Sequence, residues 1–296
     1  MRRSLAALAA LALIGAGAFG WITAPRPLPA DAMAGLTGNP QRGETLFWAG
    51  GCASCHAAKN ATGPARLALG GGQRLKTPFG TFSVPNISPD PDHGIGRWTA
   101  RDLADALLRG LAPDGRHLYP VFPYPSYAHI GLQDVADLKA FLDTLPKVAS
   151  TDPPSEVGFP FGWRRLLGGW DFLFLNTAWA VQDPLSPEEA RGRALAEGLG
   201  HCGECHTPRN AFGALRRDRW FAGAPNPAGP GKIPNITPAK LDWSQDDIVT
   251  YLSTGFTPSF DAAGGDMAEV VENLSHLPKD DLKAIAAYLK RVPAQP

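Results

Sequence analysis

The chain has 296 residues and a formal net charge of zero, from 28 basic and 28 acidic side chains. That balance excludes the basic footprint of a nucleic-acid-binding protein, and the length suggests two domains of ordinary size. With 29 prolines and 33 glycines, much of the backbone is expected to be irregular.

Met1-Arg2-Arg3 opens the chain ahead of an uncharged stretch from Ser4 to Pro25. A basic start before an apolar run is an export signal whose positive end stays inside. Ala16-Gly17-Ala18 would make an A-x-A cleavage site, yet apolar residues continue through Phe19, Trp21 and Ile22. The run is then long enough to span a bilayer, with Trp21 at the far interface. Residues 1–25 are expected to be an uncleaved anchor, with a cleaved signal peptide as the alternative. Either places the rest of the chain outside the cytoplasm. Residues 26–38, rich in Pro, Ala and Gly, read as a tether.

Asn39-Pro40 marks a helix start, Asn as N-cap and Pro in the first turn. That helix leads into Cys52-Ala53-Ser54-Cys55-His56, and Ser186-Pro187-Glu188-Glu189 opens a second one leading into Cys202-Gly203-Glu204-Cys205-His206. Each motif is C-x-x-C-H, the attachment signature of a c-type haem. Two thiols at this spacing reach the two vinyl groups of one porphyrin, and the next histidine supplies an axial nitrogen to the iron. The two copies use all four cysteines. A thioredoxin-like pair, a single zinc site and structural disulfides are the competing readings. None of them explains a histidine after both pairs. Two covalently bound haem c groups are therefore expected, on Cys52, Cys55 and His56, and on Cys202, Cys205 and His206.

The repetition extends beyond the motifs. Pro85-Asn86-Ile87-Ser88-Pro89 matches Pro234-Asn235-Ile236-Thr237-Pro238. Trp98-Thr99 and Trp243-Ser244 each open a helix behind a Ser/Thr cap, and these helices end at Gly110 and Gly255. The closing helices carry Leu138, Phe141 and Leu142 against Ile285, Tyr288 and Leu289, at helical spacing. A tandem duplication of one all-α unit is expected, over 39–146 and 186–296. Between them lies the linker 147–185, with the aromatic run from Phe159 to Leu175. It either packs between the units or presents an aromatic surface to a partner subunit or a membrane.

The sixth iron ligand separates the halves. Met267, in a loop before the last helix, is the expected ligand of the second haem, while no methionine lies between the two motifs. His117 lies as far beyond His56 as Met267 lies beyond His206; His129 aligns with His276. Both are candidates for the first iron, alongside an open site, while His93 sits in a polar loop. Gly63-Pro64 and Pro208 are expected to supply the carbonyls that orient the proximal imidazoles. Arg109, Arg209, Trp98 and Trp243 are candidates to meet haem propionates. No nucleophile elbow, phosphate loop or zinc-protease motif occurs, and Gly70-Gly71-Gly72 lacks the lysine a phosphate loop needs.

Several blocks carry a resemblance: Phe47 through His56, Cys205-His206-Thr207-Pro208-Arg209-Asn210, His117 through Tyr127, and Gly265 through Val271. They resemble the cytochrome c subunits of periplasmic alcohol, aldehyde and gluconate dehydrogenases and related di-haem cytochromes. The resemblance covers nearly all of the chain after residue 40. It implies two tandem class I cytochrome c domains, Met267 as axial ligand, and electron transfer from a dehydrogenase to the respiratory chain on the periplasmic side of the inner membrane. Many such relatives have Met where Phe122 stands here, others where Ile130 stands, and the well-known subunits carry a third haem domain. The function expected is an electron relay without substrate turnover; the alternative is a peroxidase-like di-haem enzyme with an open first iron.

Overall fold

The computed structural model describes residues 2–227 and 229–296, so Met1 and Ala228 lie outside the described residues. Helices dominate, as the sequence suggests. The apolar segment forms helix α1 (Arg2–Ile22), with no buried residue.

Helix α2 (Pro40–Ala49) starts as the sequence predicts: the Asn39 side chain accepts from Arg42 N at 3.0 Å, and Pro40 needs no partner in the first turn. Helix α3 (Cys52–His56) carries the first motif. Helix α4 (Ala100–Arg109) opens on a Thr99–Asp102 capping box and closes at Gly110 with φ 62°. A short α5 (Tyr124–Tyr127) and then α6 (Leu132–Leu142) follow. Helix α7 (Arg165–Phe174) lies in the aromatic segment. Helix α8 (Pro187–Arg193) begins with a Ser186–Glu189 box and runs into a π-helical stretch, Ala194–Leu199. Helix α9 (Gly203–His206) bears the second motif. Helix α10 (Gln245–Thr254) opens on a Ser244–Asp247 box and ends at Gly255, φ 80°. Helices α11 (Asp266–Leu274) and α12 (Lys279–Leu289) complete the set.

Two crossed helix pairs form the frame, α2 on α6 and α8 on α12. Each crossing depends on a glycine. A Cβ on Gly43 would lie 2.0 Å from the Asp137 carbonyl oxygen, and one on Gly192 would lie 1.8 Å from that of Ala284. Only hydrogen lets the backbones approach so closely. An arginine beside each glycine then grips the partner helix: Arg42 pairs with Asp134 and Asp137, and Arg191 with Asp281 at 2.8 and 2.9 Å. Gly192→Ala is expected to cost about 2–3 kcal/mol, because the clash is with backbone that cannot rotate away. Calorimetry should show a drop of several degrees in melting temperature; an unchanged one would mean the crossing is not this tight.

The all-α expectation needs one correction. Two short antiparallel ribbons occur, β1 (Arg74–Thr77) with β2 (Gly80–Ser83), and β3 (Ala224–Pro225) with β4 (Lys232–Ile233). They are too short to show a period-two pattern in the sequence.

Residues 147–185 are tied down rather than slack. Asn86 donates to the Val148 carbonyl at 2.7 Å, and its N–H reaches Asp152 at 2.8 Å. Thr81 and Glu156 exchange backbone hydrogen bonds. Further on, the buried Glu197 carboxylate accepts from the N–H groups of Ala180 and Val181, at 2.6 and 3.2 Å, and from Tyr288 Oη. An ionisable group so enclosed is tolerated because donors surround it.

Candidate haem sites and the interface between them

The two C-x-x-C-H segments have the same local build. In each, the first cysteine is half-buried, the second exposed and the histidine half-buried, on one short helix that starts at Cys52 in the first motif and just after Cys202 in the second. None of the four cysteines is joined to another in a disulfide. Burial, and then the neighbouring Cys55, push the Cys52 thiol up to about 12; burial and Cys205 push Cys202 up to about 12 as well. Burial holds His56 down to about 4 against the opposing effect of the Pro85 carbonyl, and it lowers His206 too. Both imidazoles are therefore neutral at physiological pH. His56 Nδ1 donates to Pro85 O at 2.8 Å and His206 Nδ1 donates to Pro234 O at 2.8 Å. That bond fixes the tautomer and leaves the Nε2 lone pair for a metal. Paired thiols beside such a histidine fit a covalently attached haem.

The orienting carbonyls are a correction to the sequence reading. They come from Pro85 and Pro234, not from Gly63-Pro64 or Pro208. Both belong to the repeated Pro-Asn-Ile segments, whose repetition was the available signal. Each segment is held alike: Ile87 N donates to Leu69 O, Ile236 N to Phe221 O, each at 3.0 Å. The next residue's N–H, on Ser88 and Thr237, is capped by Asn86 and Asn235 Oδ1 at 2.8 Å. Gly71 and Gly223 then donate to the carbonyls of His56 and His206 at 2.8 Å.

The structure places the remaining candidates as follows. Met267 sits in the first turn of α11, partly buried against the core. His117 is buried with both ring nitrogens engaged, Nδ1 at 3.1 Å from Asp171 Oδ2 and Nε2 at 3.1 Å from the Thr23 carbonyl. His129 stacks on Trp179 at 4.3 Å; burial and the nearby Arg217 and Arg193 lower it to about 4. His93 Nδ1 bonds Asp90 at 3.0 Å. Met33 lies in a turn between Leu28, whose N–H reaches Asp105 on α4, and Thr37, whose carbonyl accepts from Gln133 on α6. Arg209 is engaged by Glu204 and by the Gly213 carbonyl, and Arg109 is exposed at the end of α4. Trp98 packs on the core, and Trp243 packs edge-on to Tyr251 at 5.2 Å.

The two motif segments meet at one interface. Asn273 on α11 donates to Ser54 of the first motif at 2.7 Å, while Ser126 on α5 donates to Glu204 of the second at 2.9 Å. His201, just before the second motif, donates from Nε2 to Gly50 O at 3.3 Å, just before the first. His276 stacks on Trp48 at 3.9 Å. The buried Arg66 crosses the same interface, bonding Glu272 and Asn273 at 2.7 Å each. Sequence reading missed Arg66, since nothing local distinguishes it from a solvated arginine.

Comparison with known proteins bears on this arrangement. The cytochrome c family model matches residues 40–146. A diheme cytochrome c-type protein of Cereibacter sphaeroides is 63% identical over 294 residues, covering 99% of both chains. The chain belongs to the di-haem c-type cytochromes. It carries two covalently bound haem c groups and works in electron transfer. The cytochrome is also 38% identical, over 86% of its length, to the cytochrome c subunit of the quinone alcohol dehydrogenase of Gluconobacter oxydans. Identity to the fructose dehydrogenase cytochrome subunit of Gluconobacter japonicus is 38%, again over 86% of the chain. The matched region is 55% of the first of these two dehydrogenase relatives and 52% of the second.

Proposed function

We propose that the cytochrome is a periplasmic relay, anchored by α1, that takes electrons from a dehydrogenase and passes them to a respiratory acceptor. Cys52, Cys55 and His56 hold one haem and Cys202, Cys205, His206 and Met267 the other, in two class I units over 39–146 and 186–296 joined by 147–185. The haems supply reversible one-electron chemistry. The chain's part is to orient His56 and His206 through Pro85 and Pro234, and to hold both motifs against one another. The observation that carries this reading is the shared interface, where Ser54 and Glu204, inside the two motifs, are each hydrogen-bonded by the other half. A relay needs its two centres in fixed proximity, and these bonds supply it. The relatives named as subunits of alcohol, fructose and gluconate dehydrogenases support a dehydrogenase as donor. Anaerobic mixing with such a dehydrogenase and its substrate should reduce both haems. Reduction by dithionite but by none of these dehydrogenases would sink the proposed donor.

A second reading has its own observation: His93, His117 and His129 all have other partners. On this reading the first iron has no sixth ligand from the protein and binds a small external one.

A further inference from the structure

The far end of α1 is built into the folded cytochrome. Thr23 is buried, and its hydroxyl accepts from Arg165 Nε at 2.8 Å while donating to Phe19 O at 2.7 Å. A second Arg165 nitrogen reaches Gly20 O at 3.1 Å. Thr23 O faces His117 Nε2, and Asp171, which holds the other His117 nitrogen, also accepts from Tyr124 Oη. Gly168 of α7 lets this happen, because a Cβ there would lie 2.7 Å from Thr23 O and 2.8 Å from His117 Nε2. Aromatic contacts extend the seam: Phe19 meets Trp163 at 5.5 Å and Trp21 meets Phe172 at 6.3 Å.

The same segment that grips α1 exposes several large apolar side chains. Phe159 is 90% exposed, and Phe161, Trp163, Phe172 and Leu173 are exposed as well, along with Trp21. Solvated surfaces rarely gather so many such residues in one place. We infer that this apron, Phe159 to Leu173, lies in the headgroup–acyl boundary of the bilayer that α1 enters. The inference rests on α1 being the anchor. Continuity decides for lipid over a protein partner, since Trp163 and Phe172 of the apron pack on the end of an apolar 21-residue helix that has no buried residue. That helix is about 32 Å long, enough to cross the hydrocarbon core. Interfacial Trp and Phe beside an arginine are the side chains suited to that boundary, and Arg26 lies over the Trp21 ring at 4.6 Å. Clamped at both α1 and the apron, the cytochrome has one orientation on the membrane.

Hydroxyl-radical footprinting of the purified full-length holo-cytochrome in phosphatidylethanolamine–phosphatidylglycerol nanodiscs tests this. Phe159 and Phe260 form a matched pair, 90% and 89% exposed. In nanodiscs Phe159 is expected to be oxidised at roughly a tenth of the Phe260 rate, because the acyl boundary excludes the aqueous radical. Phe161 and Phe172 should be protected with it, and Phe256 should not. Equal rates at Phe159 and Phe260 would overturn the apron and leave a protein partner as its occupant. Intact mass of membrane-extracted protein reports separately on the anchor. Should the mature chain lack α1, the anchor falls, and the same footprint on that chain with vesicles decides the apron alone: protection upholds it, equal oxidation overturns it.

Discussion

Carbon monoxide added to the fully reduced cytochrome is expected to shift the Soret band of one haem and leave the other unchanged. The reason lies in the register of the two halves. After Gly110 a bridge pairs Leu111 with His117, and after Gly255 a bridge pairs Phe256 with Ala262. Counting on equally from His117 and Ala262 reaches Phe122 in one half and Met267 in the other. Phe122 packs on Tyr127 at 5.5 Å. Tyr127 is buried, donates to Gly50 O at 3.4 Å, and is raised well above the usual phenol range by burial and then by Cys52 and Cys55. The Phe122–Tyr127 pair therefore stands beside the first attachment site. A phenyl ring there offers the iron no donor atom, and the three histidines after His56 in that half have other partners. Phe122→Met restores a thioether at the place and is expected to abolish the carbon monoxide shift. It should also raise that haem's potential by on the order of 0.2 V, within the roughly 0.8 V range that axial ligands span. No shift in the parent protein would show that a protein group closes the first iron, and the second reading of its function would fall.

Met267→Ala is expected to have the opposite effect on the other haem. On the proposed attachment through Cys202 and Cys205, haem binding does not depend on Met267, so a pyridine haemochrome assay should still count two haems. The second potential should fall, again on the order of 0.2 V. Both haems, not one, should then respond to carbon monoxide. Transfer from the first haem to the second would lose driving force, so reduction of an external acceptor should slow although the fold is kept. A spectrum and potential identical to the parent's would remove Met267 from the ligand role.

Much of this protein is legible locally because its chemistry is local. Thiol spacing and the adjacent histidine lie within five residues, so Cys52 to His56 and Cys202 to His206 announce their cofactor without a fold. Helix caps are equally local: Asn39, Thr99, Ser186 and Ser244 all cap as expected, with their acids or proline in place. Gly43 and Gly192 are visible as a repeated Arg-Gly pair, but what that pair does is not, because the clash that requires glycine comes from a helix about ninety residues away (for Gly43, Asp137).

The ligand-orienting carbonyls, the engagement of His117 and the seat of α1 arise only on folding. A backbone carbonyl carries no residue identity, so Pro85 and Pro234 are invisible as hydrogen-bond acceptors until the loop brings them to the imidazoles. His117 reads as a ligand because histidine has two nitrogens and the spacing suits; only packing shows that Asp171 and Thr23 take both. For the cofactor class, the internal repetition and the apolar segment, residue order alone suffices, since each is a matter of residue type at short range. Which polar group each histidine meets depends on contacts between residues far apart in the chain, and those exist only once the two helix pairs and the segment between them have packed.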